Sequence, residues 1–161
     1  MTLRIGNGFD AHRFKPGAKL VLGGVTIPHH SGMEAHSDGD VVLHAVCDAL
    51  LGALAKGDIG QHFPDNAEEF AGIDSRILLA RVHELVVADG YRIVNLDVTI
   101  IAQAPKLAGY IPAMREVMAH DLQTSIGNIS VKATTTEKMG FCGREEGIAV
   151  MSCVLLSTAE S

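Results

Sequence analysis

The sequence predicts an α/β protein, more closely an α+β sandwich in which helices cover one face of a mixed β-sheet. Segments whose apolar and polar residues alternate, as half-buried strands require, interleave with segments whose apolar residues recur at helical spacing. The 161 residues contain no repeat, linker or low-complexity block, and 47% of them are hydrophobic. This length and composition suffice for one core, so we expect a single domain over residues 1–161.

The first part of the chain is predicted to form strands and then a helix. "LRIGNGFDAH" (residues 3–12) is typical of a strand, and "KLVLGGVTIP" (residues 19–28) indicates two short strands that meet at Gly23-Gly24. "DVVLHAVCDALLGALA" (residues 40–55) predicts a helix, capped by Asp38 or Asp40. Its apolar residues recur at helical spacing, at Leu43, Val46, Leu50 and Leu54.

Helices and strands alternate in the rest of the chain. "DSRILLARVHELVVAD" (residues 74–89) predicts a helix, and Gly90 suits a left-handed stop. Pro112 is expected to begin a third helix. Three further strands are predicted, over residues 93–102, 128–135 and 147–157. In the first of these, the residues expected to share one face are Val94, Leu96, Val98 and Ile100.

The composition argues against several classes of protein. A formal net charge of −6 leaves no basic footprint for nucleic acid. The three cysteines, Cys47, Cys142 and Cys153, lack the spacing of a disulfide framework or a thiolate zinc site. The N-terminus has no apolar signal region, and no apolar run approaches the length of a membrane span. We therefore expect a cytoplasmic protein that binds neither nucleic acid nor membrane.

Two imidazoles and a carboxylate form the first candidate site. Asp10 and His12 are two residues apart on a predicted strand, so their side chains point to the same side. His44 lies one helical turn after Asp40, on the same helix face. Zinc accepts such ligands, and Mn²⁺ or Fe²⁺ fits the same ligand types. The alternatives are an ordinary surface pair at Asp10 and His12 and a buried core histidine at His44, because spacing alone does not bring strand and helix together.

The residues that precede the first helix form a second candidate. His36 and Ser37 lie just before the helix N-terminus, where backbone N–H groups and the helix dipole favour an anion. Asp40 is expected to face the same space as His36 and His44. A simple helix cap is the alternative interpretation of Asp40.

The segment "KATTTEKMGFCGREEG" (residues 132–147) is the third candidate. A strand is expected to deliver the hydroxyls of Thr134, Thr135 and Thr136, followed by Glu137, into a glycine-rich loop. Hydroxyls and flexible backbone suit phosphate oxygens, and a single carboxylate suits Mg²⁺, which borrows other ligands from phosphates and water. An ordinary β-turn with solvated charges is the alternative.

The order of the motifs resembles one enzyme family. "GFDAHRF", "AHSDGDVVLHA", "GDIGQHFPD", "DSRILL", "NLDVTIIAQAPK" and "VKATTTEKMGF.GR.EGIA", in which the dots stand for Cys142 and Glu145, occur as in the 2-C-methyl-D-erythritol 2,4-cyclodiphosphate synthases of the non-mevalonate isoprenoid pathway. The resemblance extends from about Arg4 to Leu156. It implies a lyase that converts 4-diphosphocytidyl-2-C-methyl-D-erythritol 2-phosphate into the cyclic diphosphate and releases CMP.

The resemblance also implies cofactors and roles. Zinc would be held by Asp10, His12 and His44, and Mg²⁺ by Glu137 together with the substrate phosphates. His36 and Thr135 match the positions that stabilise the transition state. The residues implied to contact the cytidine diphosphate substrate are Asp10, His12, His36, Ser37, Asp58, Ile59, Gly60, Phe63, Asp65, Ala102, Gln103, Ala104, Pro105, Lys106, Thr134, Thr135, Thr136, Glu137, Phe141 and Arg144.

The resemblance further implies a homotrimer, in which the metal side of one subunit meets the nucleotide side of its neighbour. The chain departs from the family where Asn66-Ala67 follows Asp65, because "FPDTD" is common there and a second acid is missing. Cys142 also replaces a common threonine. Two other functions use similar ligands: a metal-dependent phosphohydrolase, which would activate water, and a non-catalytic metal- or nucleotide-binding module.

Overall fold

The computed structural model describes residues 1–158, which form seven strands and five α-helices, with three short 3₁₀ helices in the connecting segments. The strands are β1 (Leu3–Pro16), β2 (Leu20–Leu22), β3 (Val25–Ile27), β4 (Ser31–Met33), β5 (Tyr91–Ile101), β6 (Ile129–Thr134) and β7 (Gly147–Thr158). The helices are α1 (Val41–Ala53), α2 (Ile59–His62), α3 (Ser75–Ala88), α4 (Ile111–Asp121) and α5 (Gly140–Gly143). The predicted helices and strands are confirmed, whereas β4, α2 and α5 had no prediction.

The main sheet has five strands in the order β4-β1-β7-β5-β6. Every neighbouring pair is antiparallel except β5 and β6, which are parallel and are connected through α4. The strands β2 and β3 form a separate hairpin. The mixed sheet with helices packed on one face confirms the predicted α/β sandwich. The single domain over residues 1–161 stays a prediction.

Helix α1 packs directly on β1 because two glycines let the backbones approach. A β carbon built on Gly6 would lie 2.0 Å from the carbonyl oxygen of Ala49, and one on Gly8 would lie 2.0 Å from that of Ala45. Only a residue without a side chain fits at such positions. Helix α1 is almost entirely buried between the sheet and α3, so it belongs to the core rather than to a solvated surface.

Asp40 is the cap of α1, as one of the two interpretations of this residue predicted. Its carboxylate accepts a hydrogen bond from the backbone N–H of Leu43, which makes Asp40 the cap of α1. The same carboxylate accepts from Gly23 N at 2.9 Å and Gly24 N at 2.7 Å, in the turn between β2 and β3. Burial raises the pKa of Asp40 to about 6, although these bonds oppose the shift. The prediction that Asp40 faces the metal is therefore wrong, because its oxygens are occupied by backbone donors.

The strand β5 differs from prediction at one position. Its pairing with β7 is irregular between Ile93 and Asn95, and Ile93 rather than Val94 is buried beside Leu96. A bulge of this kind adds one residue to a strand and shifts the alternation on one side of it. The alternation holds at Leu96, Val98 and Ile100, all fully buried.

The sheet face opposite the helices is uncovered in the single chain. Ile5, Phe9 and Met151 are 72%, 57% and 55% exposed on adjacent strands, and Phe9 pairs directly with Met151. An apolar area of this kind on adjacent strands is typical of a surface that binds another protein chain. Within residues 1–158 no helix combines the length and the hydropathy that a membrane crossing requires.

Candidate metal and substrate site

Asp10, His12 and His44 meet at one point, where β1 passes beneath the start of α1. His12 Nε2 lies 2.9 Å from Asp10 Oδ2. His44 Nδ1 lies 3.2 Å from that oxygen and 3.2 Å from His12 Nε2. The structure thus brings strand and helix together as the metal prediction requires, since Gly6 and Gly8 allow their close contact.

The three donor atoms fit a tetrahedral metal ion. Bonds of ~2.0–2.2 Å to a four-coordinate zinc separate its ligand atoms by roughly 3.3–3.6 Å. The observed separations of 2.9, 3.2 and 3.2 Å are close to that spacing. Three protein ligands leave one position for substrate, which is the arrangement of catalytic rather than structural zinc sites. The chain is therefore suited to hold a divalent metal ion at this point.

The charges around the three ligands favour a cation. Burial on its own favours the neutral acid at Asp10, but hydrogen bonds and positive charge from His12 and His44 lower its pKa from 3.8 to about 2. Burial likewise opposes a charge on His44, yet Asp10, Asp40 and Asp38 together raise the pKa of that imidazole. In the metal-free chain the site therefore attracts a proton, which a bound metal displaces.

A second set of residues contacts His44 at its other ring nitrogen, Nε2. Its Nε2 atom lies 2.9 Å from Ser75 Oγ and 3.2 Å from Ser37 Oγ. Ser75 begins α3 and is fully buried, and its hydroxyl and backbone N–H both donate to the carboxylate of Asp38. Sequence reasoning missed this role of Ser75 and Asp38. The signal available was the "DSRILL" motif, which was noted only as part of the family pattern.

A cavity of about 350 Å³ opens in front of the three ligands. Most of the residues predicted for the metal and sugar side line it, namely Asp10, His12, His36, Ser37, His44, Ile59, Gly60, Phe63 and Asp65. Phe70, Ile73 and Leu78 complete the apolar wall and had no prediction. Asp58 lies beside the cavity as the cap of α2, where it accepts from Gln61 N at 3.0 Å.

The loop that begins α2 is anchored from α1. Asp48 lies one helical turn after His44, and its carboxylate accepts a hydrogen bond from Ile59 N at 2.7 Å. Burial raises the pKa of Asp48, although that bond opposes the shift. Sequence reasoning also missed this residue. One helix thus orients both the metal ligand and the backbone predicted to contact the sugar.

The predicted nucleotide side forms a separate, shallow cavity of about 310 Å³ at the ends of β5 and β6. The predicted residues that line it are Ala102, Gln103, Pro105, Lys106, Thr134 and Thr135, while Ala104 precedes Pro105 in the same turn. Ala102 N donates to Thr134 O at 3.0 Å, which fixes the two segments together. This cavity shares no lining residue with the metal cavity.

The loop after β6 has an unusual backbone. Glu137 and Lys138 adopt φ angles of 53° and 65°, a left-handed conformation that side chains disfavour. Two bonds hold this loop: Lys138 N donates to Gln103 Oε1 at 3.0 Å, and Glu137 N donates to Thr135 Oγ1 at 3.2 Å. Strained residues of this kind concentrate at functional sites.

The remaining predicted residues lie close to this loop. Thr136 donates to the backbone oxygen of Met139, and Arg144 donates to Glu146 at 2.8 Å. Phe141 is 45% exposed on α5. Neither Phe141 nor Arg144 lines the cavity of the metal or the cavity at Lys106. In the single chain, the residues predicted for the metal side and those predicted for the nucleotide side therefore line separate cavities.

A comparison with models of known families shows to which family the chain belongs. The model of the YgbB family matches residues 3–157. The chain belongs to this family. Among relatives, it is 63% identical over 156 residues to the 2-C-methyl-D-erythritol 2,4-cyclodiphosphate synthase of Shewanella sediminis, covering 97% of each chain. It is 58% identical to the enzyme of that name from Cellvibrio japonicus, over 98% of this chain and 99% of the relative.

Solved structures of the YgbB fold agree with these matches. The bifunctional IspDF of Campylobacter jejuni superposes with a TM-score of 0.95 at 44% identity, over 99% of this chain but 43% of that longer one. IspF of Plasmodium falciparum in complex with CDP superposes with a TM-score of 0.87 at 35% identity. The match covers 98% of this chain and 97% of the other chain. The resemblance to the cyclodiphosphate synthases, and with it the prediction of a metal-binding enzyme, is confirmed.

Proposed function

We propose that the protein converts 4-diphosphocytidyl-2-C-methyl-D-erythritol 2-phosphate into 2-C-methyl-D-erythritol 2,4-cyclodiphosphate and releases CMP. The observation that carries this proposal is the meeting of Asp10 Oδ2, His12 Nε2 and His44 Nδ1 within 3.2 Å at the mouth of a cavity. The relatives with this name, at up to 63% identity over nearly the whole chain, support the choice of substrate.

The metal at the three ligands is zinc, and Mn²⁺ is the alternative that fits the same donors. Glu137 would hold Mg²⁺ with the help of substrate phosphates, because Mg²⁺ prefers few protein carboxylates and several outside ligands. When bound, these ions neutralise phosphate oxygens and fix their geometry. The residues that would hold the two ions lie in separate parts of the chain, on β1 and at the start of α1 for one ion and in the loop after β6 for the other.

The protein groups hold the substrate at three points. His36 and Ser37 bind the methylerythritol phosphate end, and the turn at Asp58, Ile59 and Gly60 binds the sugar hydroxyls, with Phe63 and Asp65 beside it. The segment from Ala102 to Lys106 and the hydroxyls of Thr134, Thr135 and Thr136 surround the cytidine. Phe141 and Arg144 complete the phosphate side. His36 and Thr135 contact the oxygens on which negative charge develops.

The reaction is an intramolecular phosphoryl transfer. An oxygen of the 2-phosphate attacks the β-phosphorus, a new P–O–P bond forms, and the bond from that phosphorus to CMP breaks. Holding the nucleophile and the electrophile of one molecule in line contributes part of the ~7–11 kcal/mol available to oriented intramolecular reactions. The attacking oxygen is already largely ionised near neutral pH, so no general base is required.

A homotrimer completes the site. The metal cavity and the nucleotide cavity share no lining residue within one chain, which supports a site that two neighbouring subunits complete. The uncovered apolar face with Ile5, Phe9 and Met151 offers the surface for that contact. Light scattering is expected to give three chains per particle, and an active monomer would contradict the homotrimer.

The three unpaired cysteines, Cys47, Cys142 and Cys153, agree with a reducing, cytoplasmic location.

The direct test is a turnover assay with purified protein, zinc and Mg²⁺. Phosphorus NMR should show the two coupled resonances of a cyclic diphosphate as CMP appears in equal amount. A phosphohydrolase would give a linear phosphate product instead. A non-catalytic binding module would bind CDP without any turnover.

A further inference from the structure

We propose that Ser75 and Asp38 are positioning residues that fix the tautomer of His44, so that its Nδ1 atom is free to bind the metal. The proposal rests on the metal site proposed above. Ser75 and Asp38 go beyond that site, because they act on Nε2, the ring nitrogen of His44 that does not face the other two ligands. Neither residue lies among the predicted ligands.

The direction of each hydrogen bond follows from the number of available protons. The Ser75 hydroxyl has one proton, and both oxygens of the Asp38 side chain beside it accept hydrogen bonds from Ser75. The proton of Ser75 therefore points to Asp38. Ser75 Oγ then faces His44 Nε2, 2.9 Å away, with a lone pair, so that Nε2 must carry a proton and donate. A neutral imidazole with its proton on Nε2 has a free lone pair on Nδ1.

The free Nδ1 atom is the one that faces the other two ligands. It lies 3.2 Å from Asp10 Oδ2 and 3.2 Å from His12 Nε2. The hydrogen bonds at Nε2 of His44 therefore select the tautomer that leaves Nδ1 free to bind the metal. Partners of this kind raise the basicity of a histidine ligand and fix its ring orientation, and their loss typically costs about 10–100-fold in metal affinity.

The packing makes the arrangement rigid. Ser75 is fully buried at the first residue of α3, and both its hydroxyl and its backbone N–H bind Asp38. Asp38 in turn accepts from Asp40 N at 3.0 Å, just before α1. The hydrogen-bonded chain thus connects the starts of the two helices, and His44 has little freedom to rotate away. Ser37 Oγ, at 3.2 Å from His44 Nε2, adds a second, longer contact.

The first measurement uses the unaltered protein. In zinc-loaded protein labelled with ¹⁵N-histidine, long-range ¹H–¹⁵N NMR should show His44 protonated on Nε2 and coordinated through Nδ1. A proton on Nδ1 would overturn the inference. Failure of the unaltered protein to bind zinc at all would contradict the proposed metal site, which is a different result.

The second measurement compares variants by competition for zinc with a chromophoric chelator. Ser75→Ala should bind zinc about 10–100-fold more weakly. Ser152→Ala is the matched control, because Ser152 is also buried and its hydroxyl donates to Ala45 O of the same helix, at 2.8 Å. Circular dichroism of the metal-free variants checks the fold. Equal zinc affinity in the unaltered protein and Ser75→Ala, or equal losses in the two variants, would overturn the inference.

Asp38 gives a test that a purely structural role does not pass. In Asp38→Ala the Ser75 proton is released and can turn to His44 Nε2, which favours the wrong tautomer. Zinc affinity should therefore fall although Asp38 does not touch His44. The double variant Asp38→Ala/Ser75→Ala should lose less zinc affinity than the sum of the two single losses, because Asp38 acts on His44 through the hydroxyl of Ser75. Additive losses would mean independent packing effects and would overturn the proposal.

Discussion

Gly8 of β1 lies against Ala45 of α1 so closely that a β carbon at Gly8 would be 2.0 Å from the Ala45 carbonyl oxygen. Ala45 follows His44, and Gly8 comes two residues before Asp10 on the same side of its strand. The distance between strand and helix therefore sets the distance between the ligands they carry. The core packing and the metal site depend on the same contact.

Gly8→Ala should weaken both the fold and the metal site. The added methyl group must push α1 away from β1, which typically costs about 1–3 kcal/mol, and Asp10 then moves away from His44. Urea denaturation of the metal-free protein and a zinc titration measure the two effects. Gly109→Ala is the matched control, because nothing lies within 4 Å of a β carbon at Gly109. If Gly8→Ala is less stable but binds zinc as tightly as the unaltered protein, the core packing and the metal site do not depend on the same contact.

His44→Ala should remove tightly held zinc and leave most of the fold intact. The ligand site rests on a core that includes most of α1, so metal binding is not the source of folding as it is in a zinc finger. Metal analysis and circular dichroism test the two halves of this statement. His83→Ala, a buried histidine of α3 outside the ligand cluster, is the control. Full zinc content in His44→Ala would exclude His44 as a ligand.

Glu137→Gln should keep zinc but need more Mg²⁺ for turnover. Loss of one carboxylate charge weakens a hard-cation site with few protein ligands, and an increase of about tenfold in the half-saturating concentration corresponds to ~1.4 kcal/mol. Glu145→Gln is a suitable control, because Glu145 has the same left-handed backbone, with a φ of 58°. If Mg²⁺ titrations of the two variants coincide, Glu137 is an ordinary loop residue.

Asp121→Asn should lower stability near neutral pH but not in acid. Burial on its own would raise the pKa of Asp121, but bonds from Arg76 at 2.7 and 2.8 Å, together with His120, hold it below 3.8. A lowered folded-state pKa stabilises the protein above the ordinary value and loses that effect as pH falls. Solvent screening at Arg76 limits the difference to about 1 kcal/mol. Urea denaturation at several pH values measures the difference in the free energy of unfolding. If that difference grows as the pH falls below 3.8, the stabilising role of the ionised Asp121 is contradicted.

The sequence predicts those parts of the site that depend on local spacing. The two-residue period of a strand places Asp10 and His12 on one side, and the helical period over residues 40–55 predicts α1. Contact between the two requires the close approach at Gly6 and Gly8, which spacing alone does not reveal. The same limit explains the error at Asp40, since its donors at Gly23 and Gly24 are distant in sequence.

Long-range hydrogen bonds account for most of what sequence reasoning missed. Ser75 is 31 residues from His44 and 37 from Asp38, so their association becomes visible only when α1 and α3 pack together. Asp48 reaches Ile59 across a turn, in the same way. The bulge near Val94 is a different case, because it depends on the pairing of β5 with β7.

We expect the substrate's own 2-phosphate to be the nucleophile, and turnover in ¹⁸O-labelled water tests this expectation. The new P–O–P bond takes its oxygen from the 2-phosphate, so mass spectrometry should find no label in CMP or in the cyclic product. A substrate without the 2-phosphate should scarcely react, because water must replace an oriented intramolecular group. Label in a product phosphate at the rate of CMP release would show that water is the nucleophile. That result would contradict the expectation even if Asp10, His12 and His44 are the metal ligands.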